Sequence, residues 1–199
     1  MAKVEINIEH MEKLQKEIVK ACKQRVKVGI LAGATYPNGT KVSEVAAYLE
    51  NGWTQTVTDK QRGWLGVHGV HVKKNTTLSS PARPFFAVTA EVNRKKWNDI
   101  GFRALKGLAN NPNALNQITQ ALMLLGMTAQ QDLQDAVIDG SMGGASFAIR
   151  SPMTMLLYGN LMAEGGHKTD DTPNQTTSRK PLYKTGILAS SIAFEIEKK

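Results

Sequence analysis

The stretch Arg25-Val26-Lys27-Val28-Gly29-Ile30 alternates charged or small residues with apolar ones. Successive side chains of a β-strand point to opposite faces, so this period of two predicts a strand with one buried face. A second stretch of the same period, Ile192-Ala-Phe-Glu-Ile-Glu197, lies far along the chain. Because each predicted strand has a single apolar face, we expect the two to join in one small antiparallel sheet.

Helical periodicity marks the segments around these strands. Apolar residues at helical spacing predict short helices over about 8–23 and 42–50, the second ending at Asn51-Gly52. Proline suits the first position of a helix, so Pro84 favours a long helix over 85–108, and a second long helix follows over 112–138. The predicted fold class is α+β: a small antiparallel sheet packed on one face by two long helices, with long loops.

Two segments stand apart from this predicted core. Residues 53–80 are rich in Gly and Thr, and we expect an irregular hairpin-like extension whose returning strand covers about Val67 to Lys74. Residues 165–180 contain no large apolar side chain, so they predict a polar loop. The 199 residues are otherwise consistent with one domain, 1–199.

Composition restricts the functional classes. The chain is 41% hydrophobic and carries a formal net charge of +8, which suits a polyanionic neighbour. Its only cysteine, Cys22, excludes an intrachain disulfide and favours a reducing compartment. We recognise neither a signal-peptide core nor an apolar run long enough to cross a membrane, and therefore expect a soluble, non-secreted protein without membrane partners.

Catalytic patterns are weak. His68 and His71 are three positions apart and fall on opposite faces of the predicted strand, which disfavours a metal site. Gly140-Ser-Met-Gly-Gly144 lacks the Gly-x-Ser-x-Gly order of a nucleophile elbow, and the carboxylates are scattered. The sequence predicts no catalytic residue, no metal, no cofactor and no enzymatic activity.

Basic residues on the first long helix suggest a second class of protein. Four of them, Arg94, Lys95, Lys96 and Arg103, are candidates to face DNA, since several phosphate contacts suffice for nonspecific binding. Acidic residues interrupt this group, and there is no recognition-helix or stacking motif. A solvated helix face and a DNA-contacting surface therefore remain as alternatives, and a small basic nonspecific DNA-binding protein is the alternative function.

Three ordered segments carry a resemblance to a known family. They are Val26-Lys-Val-Gly-Ile30 with the later Glu50-Asn-Gly52, then Pro81-Ala-Arg83-Pro84-Phe85, and finally Pro181-Leu-Tyr-Lys-Thr185-Gly186-Ile-Leu188. In this order they resemble the tail-completion, or neck, proteins of tailed bacteriophages, also known as virion morphogenesis or minor tail proteins. The resemblance covers most of the chain.

The resemblance implies a non-enzymatic structural protein of the virion neck or tail, assembled in the bacterial host cytoplasm. Such proteins form rings, commonly six-fold, between the head connector and the tail tube. The implied partners are further copies of this chain, possibly as a hexamer, the head connector, and the tail tube or terminator proteins. Genomic DNA passing through the ring would touch it without sequence reading.

Individual residues suit a ring subunit. Trp53 and Trp64 are candidate interface anchors because aromatic residues dominate interface energetics, although both could instead close a small local core. Arg83 lies between two prolines, and we expect it to pair with Glu50 and tether the start of the long helix. Gly186 is expected to supply a turn before the last strand.

Overall fold

The computed structural model describes residues 11–12, 15–16, 19–20, 23–31, 33–108, 114–154, 157, 182 and 186–198. In chain order its elements are β1 (Gln24–Ile30), α1 (Val42–Asn51), β2 (Trp53–Thr56), α2 (Asp59–Val67), β3 (Thr77–Ser80), α3 (Phe85–Leu108), α4 (Ala114–Asp139), β4 (Ser141–Met142), β5 (Ala145–Ser146), α5 (Ile187–Ser190) and β6 (Ile192–Lys198).

The sheet of the predicted core is the antiparallel pair of β1 and β6. Its register places Val26 opposite Ile196, Val28 opposite Phe194 and Ile30 opposite Ile192. The apolar residues of both strands therefore share one face, as their alternation predicts. The pairing of two segments more than 160 positions apart is confirmed.

The two long helices pack as an antiparallel pair, and the fold is α+β as expected. Helix α3 has the predicted bounds, and α4 is helical over Ala114–Asp139; residues 112 and 113 of its predicted start lie outside the described residues. Helix α4 lies against both strands, and α3 packs against α4. At Gly126 of α4 an added Cβ would lie 2.3 Å from the Phe194 ring, so the missing side chain permits this close helix–strand approach.

One apolar cluster joins all of these elements. Phe85, Val42, Val137 and Ile192 are its largest fully buried apolar side chains. Helices α1, α3, α4 and α5 and strand β6 each contribute to it, with Val28 and Ile30 of β1 packed at its border. We call this assembly, formed by β1, α1, α3, α4, α5 and β6, the body.

The segment 53–80 differs from expectation. Its returning strand is β3, which pairs with β2 so that Trp53 lies opposite Ser80, while 67–74 is not a strand. Helix α2 occupies Asp59–Val67 between the two strands. The strand prediction over Val67 to Lys74 was wrong: Thr58 and Gln61 form a capping box that starts a helix at Asp59, this helix runs to Val67, and residues 68–74 form turns and coil. We call residues 53–80 the arm.

Other predicted segments lie wholly or partly outside the described residues. Of the first predicted helix, 8–23, the described residues 11–12, 15–16 and 19–20 are helical. The polar loop 165–180 is outside the description. Between the long helices and that loop, β4 and β5 form a short hairpin.

Candidate assembly surfaces

A buried arginine lies where the arm joins the body. Arg83 is only 4% exposed. Its Nε donates to the Ala148 carbonyl at 2.7 Å, its Nη2 to the Ile149 carbonyl at 3.2 Å, and its Nη1 to Ser80 Oγ at 3.0 Å. The guanidinium therefore ties the end of β3 to the segment after β5.

The expected ion pair between Arg83 and Glu50 was wrong. The Glu50 carboxylate instead accepts hydrogen bonds from the backbone N–H groups of Phe86, at 2.9 Å, and Ala87, at 3.0 Å. The first N–H groups of a helix have no partner within it, and a carboxylate there also complements the helix dipole. Glu50 caps α3, while Arg83 turns to backbone carbonyls.

The remaining motif residues shape the same junction. Gly52 ends α1 with φ of 71°, and an added Cβ there would lie 2.7 Å from the Ser80 carbonyl oxygen. A side chain at this position would push the two ends of the arm apart. Pro84 is half-buried, Pro81 is exposed and Phe85 is fully buried in the body.

The third motif segment closes the body. Gly186 adopts φ of 71° and precedes the single turn α5, which leads directly into β6. Leu188 of that turn is buried in the same cluster as Phe85. Thr185 lies outside the described residues. Residues from all three resemblance segments thus belong to one core.

The arm carries its own small core and its own cap. Val57, Leu65 and Val70 are buried together, and Met153 and Leu157 pack against them. Thr58 Oγ1 accepts from the Gln61 backbone N–H, and the Gln61 side chain accepts from that of Thr58. The arm is therefore an ordered unit.

Both candidate anchor tryptophans lie on the arm. Trp53 is 38% exposed and Trp64 is 49% exposed, so the small core of the arm buries neither fully. The Trp64 ring stacks on His68 with centroids 4.3 Å apart, and His68 Nδ1 lies 2.8 Å from the Trp64 carbonyl oxygen. These contacts hold a large aromatic side chain in place at the surface.

Three further exposed apolar residues were missed by the sequence analysis. Met123, Leu124 and Met127 lie on α4 and are each about half exposed. Met123-Leu-Leu-Gly-Met127 has apolar side chains on every face of the helix, whereas a core-facing helix needs only one apolar stripe. Apolar residues beyond one core-facing stripe were the sequence signal that could have identified this exposed surface. Val67 of the arm is exposed as well.

The four candidate DNA-facing residues separate into two groups. Lys96 Nζ pairs with Asp132, 2.7 Å from Oδ1, and the same carboxylate accepts from Trp97 Nε1. Arg94, Lys95 and Arg103 are exposed on α3, and the contacts described for them include no ion pair. Lys96 is therefore engaged in holding α3 to α4, while the other three cations face solvent.

The two histidines of the arm lie at the end of α2 and shortly after it. His68 ends α2 and His71 follows it, so the predicted placement on two faces of a strand was wrong. No three His, Cys, Asp or Glu side chains of the described residues lie close enough together to hold a metal ion. His71 borders a shallow, open depression whose lining is Asp59, Arg62, Gly63, Gly66, His71 and Val72.

An ion-pair cluster occupies the outer face of the sheet. The Lys27 ammonium and the Arg25 guanidinium both contact the Glu197 carboxylate, with Arg25 Nε 2.8 Å from Oε2. These hydrogen bonds hold the pKa of Glu197 below its usual value, and the bond from Lys27 has the largest effect. This face is therefore charged and solvated, in contrast to the half-exposed apolar side chains on α4.

Among the residues that the structure describes, no helix combines the length and apolar character needed to cross a bilayer.

Comparisons with known proteins identify no relative of this chain. The chain matches no protein-family model, and no curated protein and no solved structure resembles it significantly.

Proposed function

We propose that this chain is a structural protein of a bacteriophage neck or tail, which completes the tail or connects it to the head through ring-forming protein–protein contacts. Its work is binding, without a chemical step. Its partners are further copies of itself, the head connector and the tail tube or terminator proteins.

The observation that carries this proposal is the convergence of the three resemblance segments. They are separated in sequence by about 30 to 100 positions, yet Ile30, Phe85 and Leu188 pack in or against one cluster. Glu50 and Gly52 contact the segment that leads into α3: Glu50 accepts from the Phe86 N–H group, and Gly52 lies close to Ser80. Segments shared by a family are expected to build its common core, and this packing is consistent with the resemblance.

The surface supports the proposal separately. A closed ring needs two different patches on each subunit, because its contacts are heterologous. An ordered arm with exposed Trp53, Trp64 and Val67 supplies one patch, and the exposed apolar residues of α4 supply another. Exposed apolar patches of this kind are typical of interaction sites.

Mass in solution combined with capture of partners tests this function. The purified chain should form oligomers by light scattering, alone or on adding the connector, and should retain connector and tail-tube proteins in a pull-down. A phage lacking the chain should accumulate heads and tails that do not join. Normal particles without the chain would contradict the proposal.

A second candidate function rests on the exposed cations of α3. Arg94, Lys95 and Arg103 face solvent, whereas neighbouring Lys96 is paired with Asp132. Several such contacts to phosphates give weak binding that falls steeply with salt. The same residues could serve a DNA-binding protein or a ring through which the genome passes.

Matched substitutions separate that candidate from a merely solvated helix face. Changing Arg94, Lys95 and Arg103 together to Gln should reduce the slope of log K against log salt by about three times 0.9. The control, Lys96→Gln, should leave the slope unchanged because its charge is already paired. A parent protein that does not bind DNA at low salt would remove this candidate.

A further inference from the structure

We propose that the arm of one subunit docks on the exposed face of α4 of a second copy of this chain, with α2 antiparallel to α4. The inference rests on the proposed function, since a self-assembling ring requires a heterologous contact. It names the two surfaces that make that contact.

The first surface is one face of α2. Lys60, Trp64 and Val67 recur at helical spacing, so they share a side of the helix opposite to the buried Leu65. Val67 is 77% exposed, the most exposed large apolar side chain in the described chain. Trp64 is already stacked on His68, so little conformational freedom remains to be lost on binding.

The second surface is a stripe on α4. Leu124, Met127, Gln131 and Asp135 follow one another at helical spacing along its exposed side. Met127 is 59% exposed. Methionine side chains adapt to the shape of a partner and make favourable sulfur–aromatic contacts, which suits a rigid tryptophan.

The two stripes match in length and order. The step from Lys60 to Val67 covers seven residue rises, about 10.5 Å of helix, and the step from Met127 to Asp135 covers eight, about 12 Å. With the helices antiparallel and Lys60 beside Asp135, Val67 lies beside Met127, and Trp64 lies beside Gln131, one turn away from Met127. The parallel arrangement would instead place Val67 on Asp135.

Charge selects the same pairing. The arm contains four basic residues and one acidic residue, whereas α4 contains three aspartates and neither lysine nor arginine. Of these aspartates, Asp132 is paired with Lys96 of α3, whereas Asp135 belongs to the exposed stripe. Lys60 has no ion-pair partner among the described residues, and Asp135 is exposed with a hydrogen bond from Gln131.

A second copy is the occupant that these features favour. Each apolar patch stays exposed within one molecule, so the two do not cover each other there. The patches also differ, one rigid, aromatic and basic, the other flexible, aliphatic and acidic. Two unlike and complementary patches on one chain are the requirement for head-to-tail association.

Disulfide trapping between differently tagged chains tests this docking. In a Cys22→Ser background, chains with Val67→Cys are mixed with chains with Met127→Cys under mild oxidation. We expect a covalent dimer that contains both tags. Neither variant alone should form one, because the contact is heterologous, and Ser43→Cys on the exposed side of α1 serves as the matched control in place of Val67→Cys.

Each outcome of trapping decides the inference. A mixed dimer absent from the Ser43→Cys control supports the docking. Oligomers that form without a mixed dimer, or a Met127→Cys chain that links only to itself, overturn the docking; the proposed function then stands if the connector and tail tube are still captured. Monomers at every concentration overturn the docking, and loss of partner capture as well overturns the proposed function.

Charge reversal supplies an independent measurement. Lys60→Glu and Asp135→Lys should each weaken association about fivefold, and the double variant should restore it to within about twofold. Glu44→Lys on α1 makes the same charge change away from both stripes and should have little effect. Trp64→Ala should weaken association at least tenfold. Additive losses in the Lys60–Asp135 double variant would overturn the pairing.

Discussion

The body and the arm differ in the size of the apolar core that each one builds. In the body, side chains from four helices and the sheet turn inward to one cluster, and Phe85 and Ile192 are fully buried. In the arm, three buried residues form a small core, while Trp64 and Val67 remain at the surface. The body therefore has a large core and leaves part of α4 exposed beside it, whereas the arm has only a small core beneath its exposed side chains.

The two regions are connected at the junction where the arm meets the body. The arm leaves and re-enters the body at one junction, where Gly52 and Arg83 contact Ser80. Arg83 also holds the carbonyls of Ala148 and Ile149, just before Met153 completes the core of the arm. The junction therefore couples the two regions.

The largest expected effect comes from that junction. Arg83→Ala should lower the free energy of unfolding by about 3 kcal/mol, since it removes the hydrogen bonds that a buried guanidinium makes to Ala148, Ile149 and Ser80 and opens a cavity. Urea denaturation measures the loss. Arg62→Ala on the arm removes an exposed ion pair with Asp59 and should cost less than about 1 kcal/mol. Equal losses in the two variants would break the distinction between body and arm.

A pair of glycines gives a smaller effect of opposite sign. Gly126→Ala in the body should destabilise by about 1–2 kcal/mol, because the overpacking against Phe194 exceeds the gain in helix propensity. Gly63→Ala in α2 meets no atom within 4 Å and should stabilise by up to about 1 kcal/mol. Thermal denaturation compares them, and stabilisation by Gly126→Ala would show that α4 and β6 are not tightly packed.

The capping box of the arm tests whether α2 can open while the helices of the body stay folded. Thr58→Ala should cost about 1 kcal/mol because the first turn of α2 loses an acceptor. Hydrogen exchange should detect the loss of protection in α2 while α3 and α4 keep theirs. The exposed Thr54→Ala variant is the control on the neighbouring strand. Loss of protection throughout the body would show that the arm does not open independently.

The smallest effect is a pH dependence of the sheet. Lys27 and Arg25 hold the pKa of Glu197 low, so the stability it adds is present above the ordinary glutamate pKa of about 4.3 and is lost as pH falls through the lowered pKa. Glu197→Gln should remove that part of the acid dependence. Urea midpoints of both proteins from pH 6 to pH 3 measure it, and identical curves would contradict it.

The elements of the body were predictable where local signals agreed. The alternation of Val26, Val28 and Ile30 and of Ile192, Phe194 and Ile196 was enough to pair β1 with β6. Pro84 marked the start of α3. In each case the hydrophobic periodicity and the residues that begin or end an element predicted the same element, and predictions from sequence are most reliable when such signals agree.

The arm and the junction were less predictable for physical reasons. The run Gly66-Val-His-Gly-Val-His-Val-Lys-Lys74 suggested a strand, whereas the Thr58–Gln61 capping box starts a helix upstream of it. Two of the partners of Arg83 are backbone carbonyls 65 and 66 positions away, which any residue could supply. From residue types alone, the acidic Glu50 was the expected partner of the Arg83 guanidinium.

The pairing of β1 with β6 has a consequence for how the protein is made. Arg25 and Glu197 are 172 positions apart, so β1 has no strand to pair with in this sheet until nearly all of the described chain has left the ribosome. Contacts at such a separation close slowly and late in folding. A nascent or prematurely terminated chain lacks β6 and therefore lacks the Phe194 ring that packs over Gly126, so the body cannot close until translation has passed this strand.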